Sequence, residues 1–203
     1  MVQQIDQVLQ DSMKQVQKPS TESCRGLSID KVQRLKSILT IYSPNRQTEV
    51  CKNKDNCFFG NAPTLAMINK EFDKDSAVAW LITQLTELAV YSNSQKEMND
   101  YLVEECAKVI ATEFYYLKTT ELMLFFYNFK AGKYGVFYGS VSPLVITTSL
   151  QQFLRERNDA YFAHESELNK KHLEEQKKNS ISHAEYLRLK EEKFLNQQQN
   201  VQQ

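Results

Sequence analysis

Apolar side chains recur at three- and four-residue intervals along most of the chain, which is the spacing of one face of an α-helix. The clearest stripe follows Asp75 and Ser76, which are both good N-cap residues. The stripe consists of Val78, Leu81, Ile82, Leu85, Leu88 and Ala89. A second helix is predicted from about Gln95 to Tyr116. The third, from Glu121 to Lys130 with Thr119 or Thr120 as its cap, has almost no polar face, so we expect it at the centre of the core.

The chain after residue 142 is predicted to begin with a long helix. Ser142 followed by Pro143 suits an N-cap and a first helical position. From there the periodicity continues to about Lys178, with fewer apolar positions in its second half. The pattern therefore predicts a helix whose first half packs on the core and whose second half projects into solvent.

A final helix is predicted from His183 to about Gln197. Ser182 and Glu185 have the spacing of a capping box, and Ile181 is placed as its staple residue. Residues 151–203 contain nine basic and nine acidic side chains. The two C-terminal helices are therefore predicted to form a solvated, charge-balanced hairpin.

The N-terminal part is more polar. Residues 1–26 are rich in glutamine, with an apolar spacing that would suit one short amphipathic helix. A second helical stripe runs from Val32 to Leu39 and ends before Pro44. Residues 43–63 have no apolar period and many turn-forming residues, which predicts a loop anchored by Phe58 and Phe59.

Together these elements predict a mainly α protein: a helical bundle with a connector rich in glycine and aromatic residues and a C-terminal helical hairpin. Glycine and proline total only nine, which argues against many short strands joined by tight turns. We expect three parts: a polar arm at 1–63 with one or two short helices and a loop, a helical core at 64–155, and a charged helical extension at 156–203.

Charge and hydropathy narrow the choice of partner and compartment. The 25 basic and 25 acidic residues give a formal net charge of zero, so no overall field attracts nucleic acid or anionic lipid. No secretory signal and no apolar run of membrane-spanning length are visible. We therefore expect a cytoplasmic protein that does not enter a membrane.

The cysteines do not have the spacing of a metal site. They are Cys24, Cys51, Cys57 and Cys106. Five residues separate Cys51 from Cys57, which is more than a zinc knuckle uses, and no second ligand pair follows closely. A site formed by these two with Cys24 is the weaker interpretation, so we expect reduced thiols, no metal and no cofactor. Cys106 lies on an apolar stripe and is expected to be a small core residue.

The connector contains the chain's one unusual cluster of glycines. Three of the five glycines lie between Gly132 and Gly139, and Gly132 suits the left-handed position that ends a helix. The segment is not a phosphate-binding loop, because Tyr134 follows Lys133 where Ser or Thr is required. It also lacks the first glycine of the RNA-recognition order.

A basic and aromatic cluster remains as the candidate binding site. It consists of Lys130, Lys133, Tyr134, Phe137 and Tyr138. Such residues stack single-stranded bases and neutralise phosphates, and the same aromatic side chains serve as anchors in protein interfaces. The alternative is that the aromatic residues pack the connector onto the third helix while the lysines face water.

No catalytic constellation is visible. His164 and His172 are eight residues apart and have no carboxylate arranged beside them as a ligand pair, and His183 is at a helix start. The chain has neither the HExxH pattern nor a nucleophile elbow. We therefore expect the protein not to be an enzyme.

Residues 120–157 resemble a pattern found in uncharacterised proteins of gut-bacterial phages and integrated mobile elements. The pattern consists of Thr120-Glu121-Leu122 through Phe125-Phe126, then Gly132 to Pro143, and then Phe153-Leu154-Arg155-Glu156-Arg157. A more distant likeness, of architecture only, is to phage replicative-helicase loaders, in which a small helical domain with an early tryptophan, here Trp80, precedes more helices and an extension. The resemblance implies no catalytic residues.

These observations lead to two functional hypotheses. The first is a non-enzymatic adaptor in the DNA replication of a phage or mobile element, which binds a protein such as a replicative helicase, or less favourably single-stranded nucleic acid. Arg155 and Arg157 join the connector cluster as its candidate contacts. The alternative is a structural or scaffolding protein that forms a homo-oligomer through its C-terminal helices.

Overall fold

The computed structural model describes residues 29–94, 98–135, 141–179 and 183–200. The helix predicted within 1–26, the capping box at Ser182 and the side chains of Phe137 and Tyr138 lie outside these residues. The chain forms two compact units, Met1–Asn158 and Asp159–Gln203. Residues 29–63 therefore belong to the same unit as the predicted core, and the second unit begins close to the predicted boundary at 155.

The described residues are mainly α-helical, as predicted. The helices are α1 (Ile29–Ile41), α2 (Gln47–Val50), α3 (Lys54–Phe59), α4 (Leu65–Glu71), α5 (Ser76–Tyr91), α6 (Asp100–Glu113), α7 (Thr119–Lys130), α8 (Pro143–Asn179) and α9 (His183–Asn200). A 3-10 turn at Pro44–Arg46 precedes α2. No strand occurs in the described ranges, where Thr64 and Lys118 form a single antiparallel bridge.

Helix α7 is the centre of the core, which confirms the expectation from its almost wholly apolar sequence. Its buried apolar residues are Leu122, Met123, Leu124, Phe125, Phe126 and Phe129. Helices α2, α3 and α5 all pack against it. Burial of each large apolar side chain contributes roughly 1.5–3 kcal/mol. The fold of this unit therefore depends most on the packing around α7.

The predicted loop at 43–63 is wrong, because most of it is helical. Asn53 caps α3 by accepting the amide hydrogen of Asn56 at 3.0 Å. Cys57 and Phe58 of α3 are buried against the core. Helices of three to six residues are too short to give a periodic pattern, and packing rather than propensity stabilises them.

The predicted caps are confirmed for α5 and α8, whereas α6 and α7 begin at other residues. Asp75 is the N-cap of α5. The oxygen of Ser142 accepts the amide hydrogen of Val145 at 3.4 Å, so it caps α8. Helix α6 begins later than predicted, because Asn99 caps it and accepts the amide hydrogen of Leu102. Lys118, rather than Thr119 or Thr120, is the N-cap of α7.

Candidate protein-binding surface

The connector begins with a specific helix-ending turn. Lys133 N donates to Asn128 O and Gly132 N donates to Phe129 O, each at 3.0 Å, which is the Schellman pattern. Gly132 has φ +75° and Gly135 has φ +119°, so both adopt conformations that favour glycine. The predicted left-handed role of Gly132 is confirmed. The turn fixes the direction in which Tyr134 leaves α7.

Tyr134 packs on the core helix. Its ring stacks on Phe125, with centroids 5.5 Å apart and planes 29° from parallel. Its hydroxyl accepts a hydrogen bond from Asn128 Nδ2 at 3.4 Å. Burial raises the pKa of the Tyr134 hydroxyl above its usual value. One face of this ring is therefore used by Phe125 and does not serve as a platform for a base.

Three of the four candidate cations are already paired with acidic side chains. Lys130 Nζ lies 2.9 Å from Glu87 Oε2, with both side chains mostly buried. Lys133 pairs with Glu156. Arg157 Nε donates to Glu121 Oε1 at 2.7 Å. In each pair the acidic side chain neutralises a positive charge that, judged from the sequence alone, could bind phosphate.

Two of these cations also contact aromatic rings. Lys130 Nζ lies 5.6 Å from the ring centroid of Tyr91. The guanidinium of Arg157 lies at the same distance from the ring of Tyr116. Such contacts contribute about 0.5–1 kcal/mol at exposed sites. Lys130 and Arg157 are thus held in the fold by two kinds of contact each.

Glu121 is an important residue of this region that is not among the seven candidates predicted from the sequence. Its side chain is fully buried. One carboxylate oxygen accepts from Arg157, and the other accepts the backbone N–H of Lys118 at 2.9 Å. One sequence feature indicates this role: a glutamate at the third residue of a helix can accept a hydrogen bond from the backbone N–H of the N-cap residue.

Lys118 connects this start of α7 to the segment before it. Its ammonium group donates to the carbonyl oxygens of Phe58 and Gly60, at 2.6 and 3.0 Å. The hydroxyl of Thr120 donates to the carbonyl oxygen of Cys57 at 2.8 Å. The polar groups at the start of α7 therefore hold α3 in place.

A shallow groove of about 280 Å³ lies between the connector and α8. Its lining residues are Tyr134, Leu144, Val145, Thr148, Ser149 and Gln152. We call it the α8 groove. Leu144 at its rim is 74% exposed, so a large apolar side chain is available to a partner.

Arg155 lies one helical turn beyond Gln152 on α8. It is exposed, and in the described ranges no acidic side chain pairs with it. Arg155 is therefore an available positive charge on the helix that lines the α8 groove. Of the seven candidate residues, Tyr134 lines the groove, and Arg155 is exposed on α8. Lys130 and Arg157 form mostly buried ion pairs within the fold, and Lys133 forms a partly exposed one. Phe137 and Tyr138 lie outside the described residues.

Among the described residues, no three His, Cys, Asp or Glu side chains lie together in a way that would hold a metal ion. Cys106 is buried in the core, and burial raises the pKa of its thiol to about 12. None of the described helices is long and apolar enough to cross a membrane.

Comparison with known proteins gives one family similarity. No curated protein and no solved structure matches the chain at a significant level. Residues 98–194, somewhat under half of the 203-residue chain, match the model of a family of unknown function, DUF6633. The match includes α6, α7, the connector, α8 and the first part of α9. Over that stretch the chain is similar to this family.

Proposed function

We propose that the protein is a non-enzymatic adaptor that binds a partner protein in the α8 groove. The observation that carries the proposal is the groove itself, with the exposed Leu144 among its lining residues and the exposed Arg155 farther along the same helix. Tyrosine and arginine are among the side chains that most often dominate binding at protein interfaces, and Tyr134 lines this groove. The partner we propose is an amphipathic helix with an apolar residue for the groove and an acidic residue for Arg155.

The pairing of the other cations favours a protein over nucleic acid as the partner. A strand of nucleic acid binds mainly through neutralisation of its phosphates. Lys130, Lys133 and Arg157 would each have to leave an acidic side chain to do this. The stacking of Tyr134 on Phe125 further reduces the aromatic surface that a base needs.

The role in replication rests on the resemblance of residues 120–157 to proteins of phages and mobile elements. On that basis we propose a replicative helicase of the same host as the partner. Purified helicase should be titrated with the full chain by calorimetry. We expect Leu144→Glu to weaken binding about tenfold, a loss of about 1.4 kcal/mol, since it places a charged carboxylate in an apolar contact. Tyr101→Glu, on the exposed side of α6, is the matched control and should bind as the wild type does.

A parallel titration with single-stranded DNA separates the two kinds of partner. Equal helicase binding by Leu144→Glu and the wild type would remove the α8 groove from the proposal. No helicase binding by the wild type would remove the role in replication. Tight, salt-sensitive DNA binding that Arg155→Glu weakens would favour nucleic acid instead.

The C-terminal unit favours self-association as a second candidate function. None of its described side chains is buried. Its large exposed apolar residues are Phe162, Leu168, Leu173, Tyr186, Leu187 and Leu189. Helices with no buried face are marginally stable in water and gain stability from a partner. A second copy is a suitable partner because the unit is nearly charge-balanced, with seven basic and eight acidic residues.

Sedimentation of the full chain tests this second candidate. We expect a dimer or larger oligomer that dissociates when Leu168 and Leu173 are both changed to Glu. Leu144→Glu is the control, since it lies in the other unit and should leave the oligomer intact. A wild-type chain that sediments as a monomer over a wide concentration range would contradict self-association.

A further inference from the structure

Two cysteines of the N-terminal unit lie side by side, apart from the α8 groove. Cys51 is the C-cap residue of α2, and Cys57 lies in α3. Both are buried and both are free thiols. The Cys57 thiol donates a hydrogen bond to the carbonyl oxygen of Val50, the residue before Cys51, at 3.4 Å. This contact places the Cys57 sulfur beside the peptide bond that joins Val50 to Cys51.

We propose that Cys51 and Cys57 form a redox-sensitive pair that a small-molecule disulfide oxidises reversibly to an intramolecular disulfide. The Cys57 thiol already contacts the residue before Cys51, so cross-linking requires a rearrangement within one short segment only. The two residues also lie on separate short helices joined by a turn, which can adjust more readily than a single continuous helix. The pair is outside the residues of the proposed partner site, and the inference does not depend on that function.

The contacts around the pair assign different roles to the two thiols. The hydrogen bond from Cys51 lowers the pKa of the Cys57 thiol, because it stabilises the Cys57 thiolate. The same hydrogen bond and burial raise the pKa of Cys51. The thiolate is the attacking form in thiol–disulfide exchange. Cys57 attacks first in the exchange below and Cys51 resolves, and the reverse order forms the same disulfide.

The exchange has two balanced steps. The Cys57 thiolate attacks one sulfur of a disulfide R–S–S–R, the S–S bond breaks, and the leaving thiolate takes up a proton to give RSH. Cys51 then loses its proton and attacks Cys57 Sγ in the mixed disulfide, which releases the second RSH. In sum, two protein thiols are oxidised by two electrons and one small-molecule disulfide is reduced to two thiols.

Access to the buried pair requires a local opening of the segment. Helices α2 and α3 have four and six residues and are held by packing on α7 rather than by their own stability. Segments of this kind open locally without global unfolding. Once formed, the disulfide joins α2 to α3, and Thr120 and Lys118 bind α3 to the start of α7. Oxidation should therefore make this opening rarer.

Equilibration of the full chain with mixtures of reduced and oxidised glutathione tests the proposal. Remaining thiols are alkylated, and the products are examined by intact mass and peptide mapping. We expect a Cys51–Cys57 cross-linked peptide, its loss on addition of dithiothreitol, and a higher melting temperature in the oxidised protein. Glutathione should not remain attached, because Cys51 displaces it.

Three variants sharpen this experiment. Cys51→Ser should retain glutathione on Cys57, since the resolving thiol is absent. Cys24→Ser and Cys106→Ala should form the cross-link as the wild type does, because Cys106 is buried elsewhere in the core and its pKa is about 12. The absence of a Cys51–Cys57 peptide at every glutathione ratio would overturn the proposal. So would its formation only in urea that unfolds the whole chain, or a cross-link to Cys24 in its place.

Discussion

The buried carboxylate of Glu121 accepts a hydrogen bond from Arg157 Nε at 2.7 Å, which joins the first turn of α7 to α8. The two residues are 36 positions apart in the sequence. Removal of one partner from a buried ion pair leaves an uncompensated charge, whereas an exposed pair contributes little. The pair is therefore a structural connection between two helices of the N-terminal unit.

We predict that Arg157→Ala destabilises the protein by about 3 kcal/mol, because Glu121 then stays buried without its cation. Arg157→Ala combined with Glu121→Gln should recover part of this loss, since glutamine can still accept the N–H of Lys118. Urea unfolding measures both. Lys108→Ala removes a cation that pairs with Glu104 and Glu105 on the exposed face of α6, so it is the control and should leave the midpoint unchanged. Equal shifts for Arg157→Ala and Lys108→Ala would show that burial of Glu121 has no effect.

Tyr134 provides a test by pH. Because burial raises its pKa in the folded protein, the unfolded chain loses this proton first as the pH rises. The stability that Tyr134 contributes is complete below about pH 10, the usual tyrosine pKa, and is lost as the pH rises towards the raised value. We therefore predict that the urea midpoint of the wild type falls more steeply above pH 10 than that of Tyr134→Phe. Parallel curves for the two proteins would contradict the burial of this hydroxyl.

Apolar periodicity and capping residues in the sequence predicted those parts of the fold that depend on residues close together in the chain. The apolar sequence of α7 predicted its burial, and Ser142 and Gly132 predicted the two ends of the connector. The same signals could not predict the partners of the candidate cations. Glu87 is 43 residues from Lys130, and Glu156 is 23 residues from Lys133. Such pairs depend on how helices pack, which no sequence spacing reveals.

The short helices at 47–59 were missed for a different physical reason. Periodicity needs more than one or two turns, and α2 and α3 have four and six residues. Their apolar residues, such as the adjacent Cys57 and Phe58, show no helical period in the sequence, although both are buried in the fold. Asn53, the cap of α3, is equally typical of a loop and of a helix start.

We expect a substitution at Gly132 to strain the backbone without causing a steric clash. A Cβ at Gly132 would meet nothing within 4 Å, so the cost of Gly132→Ala comes from its φ of +75° alone. We predict a loss of about 1 kcal/mol in urea unfolding. Asn93 has φ +55°, and Asn93→Gly should not destabilise the protein. A stability of Gly132→Ala equal to that of the wild type would argue against the left-handed turn.

Two buried amides connect the N-terminal helices to α5. Gln84 Nε2 donates to the carbonyl oxygen of Tyr42 at 2.8 Å, and Gln84 Oε1 accepts from Gln47 Nε2 at 2.7 Å. Trp80 Nε1 donates to the same carbonyl of Tyr42 at 2.9 Å. In the described part of the chain, Gln47 Oε1 has no hydrogen-bond partner. The pair thus contains one unsatisfied buried atom.

We predict that Gln84→Leu costs about 1–3 kcal/mol, because it leaves the whole Gln47 amide buried without a partner. Adding Gln47→Leu should restore stability, since the unsatisfied groups are then gone and Tyr42 still accepts from Trp80. The double variant should therefore unfold at a higher urea concentration than Gln84→Leu alone, which makes the two changes strongly non-additive. If the losses simply add, the two amides do not depend on each other, and the hydrogen bond between them contributes nothing to stability.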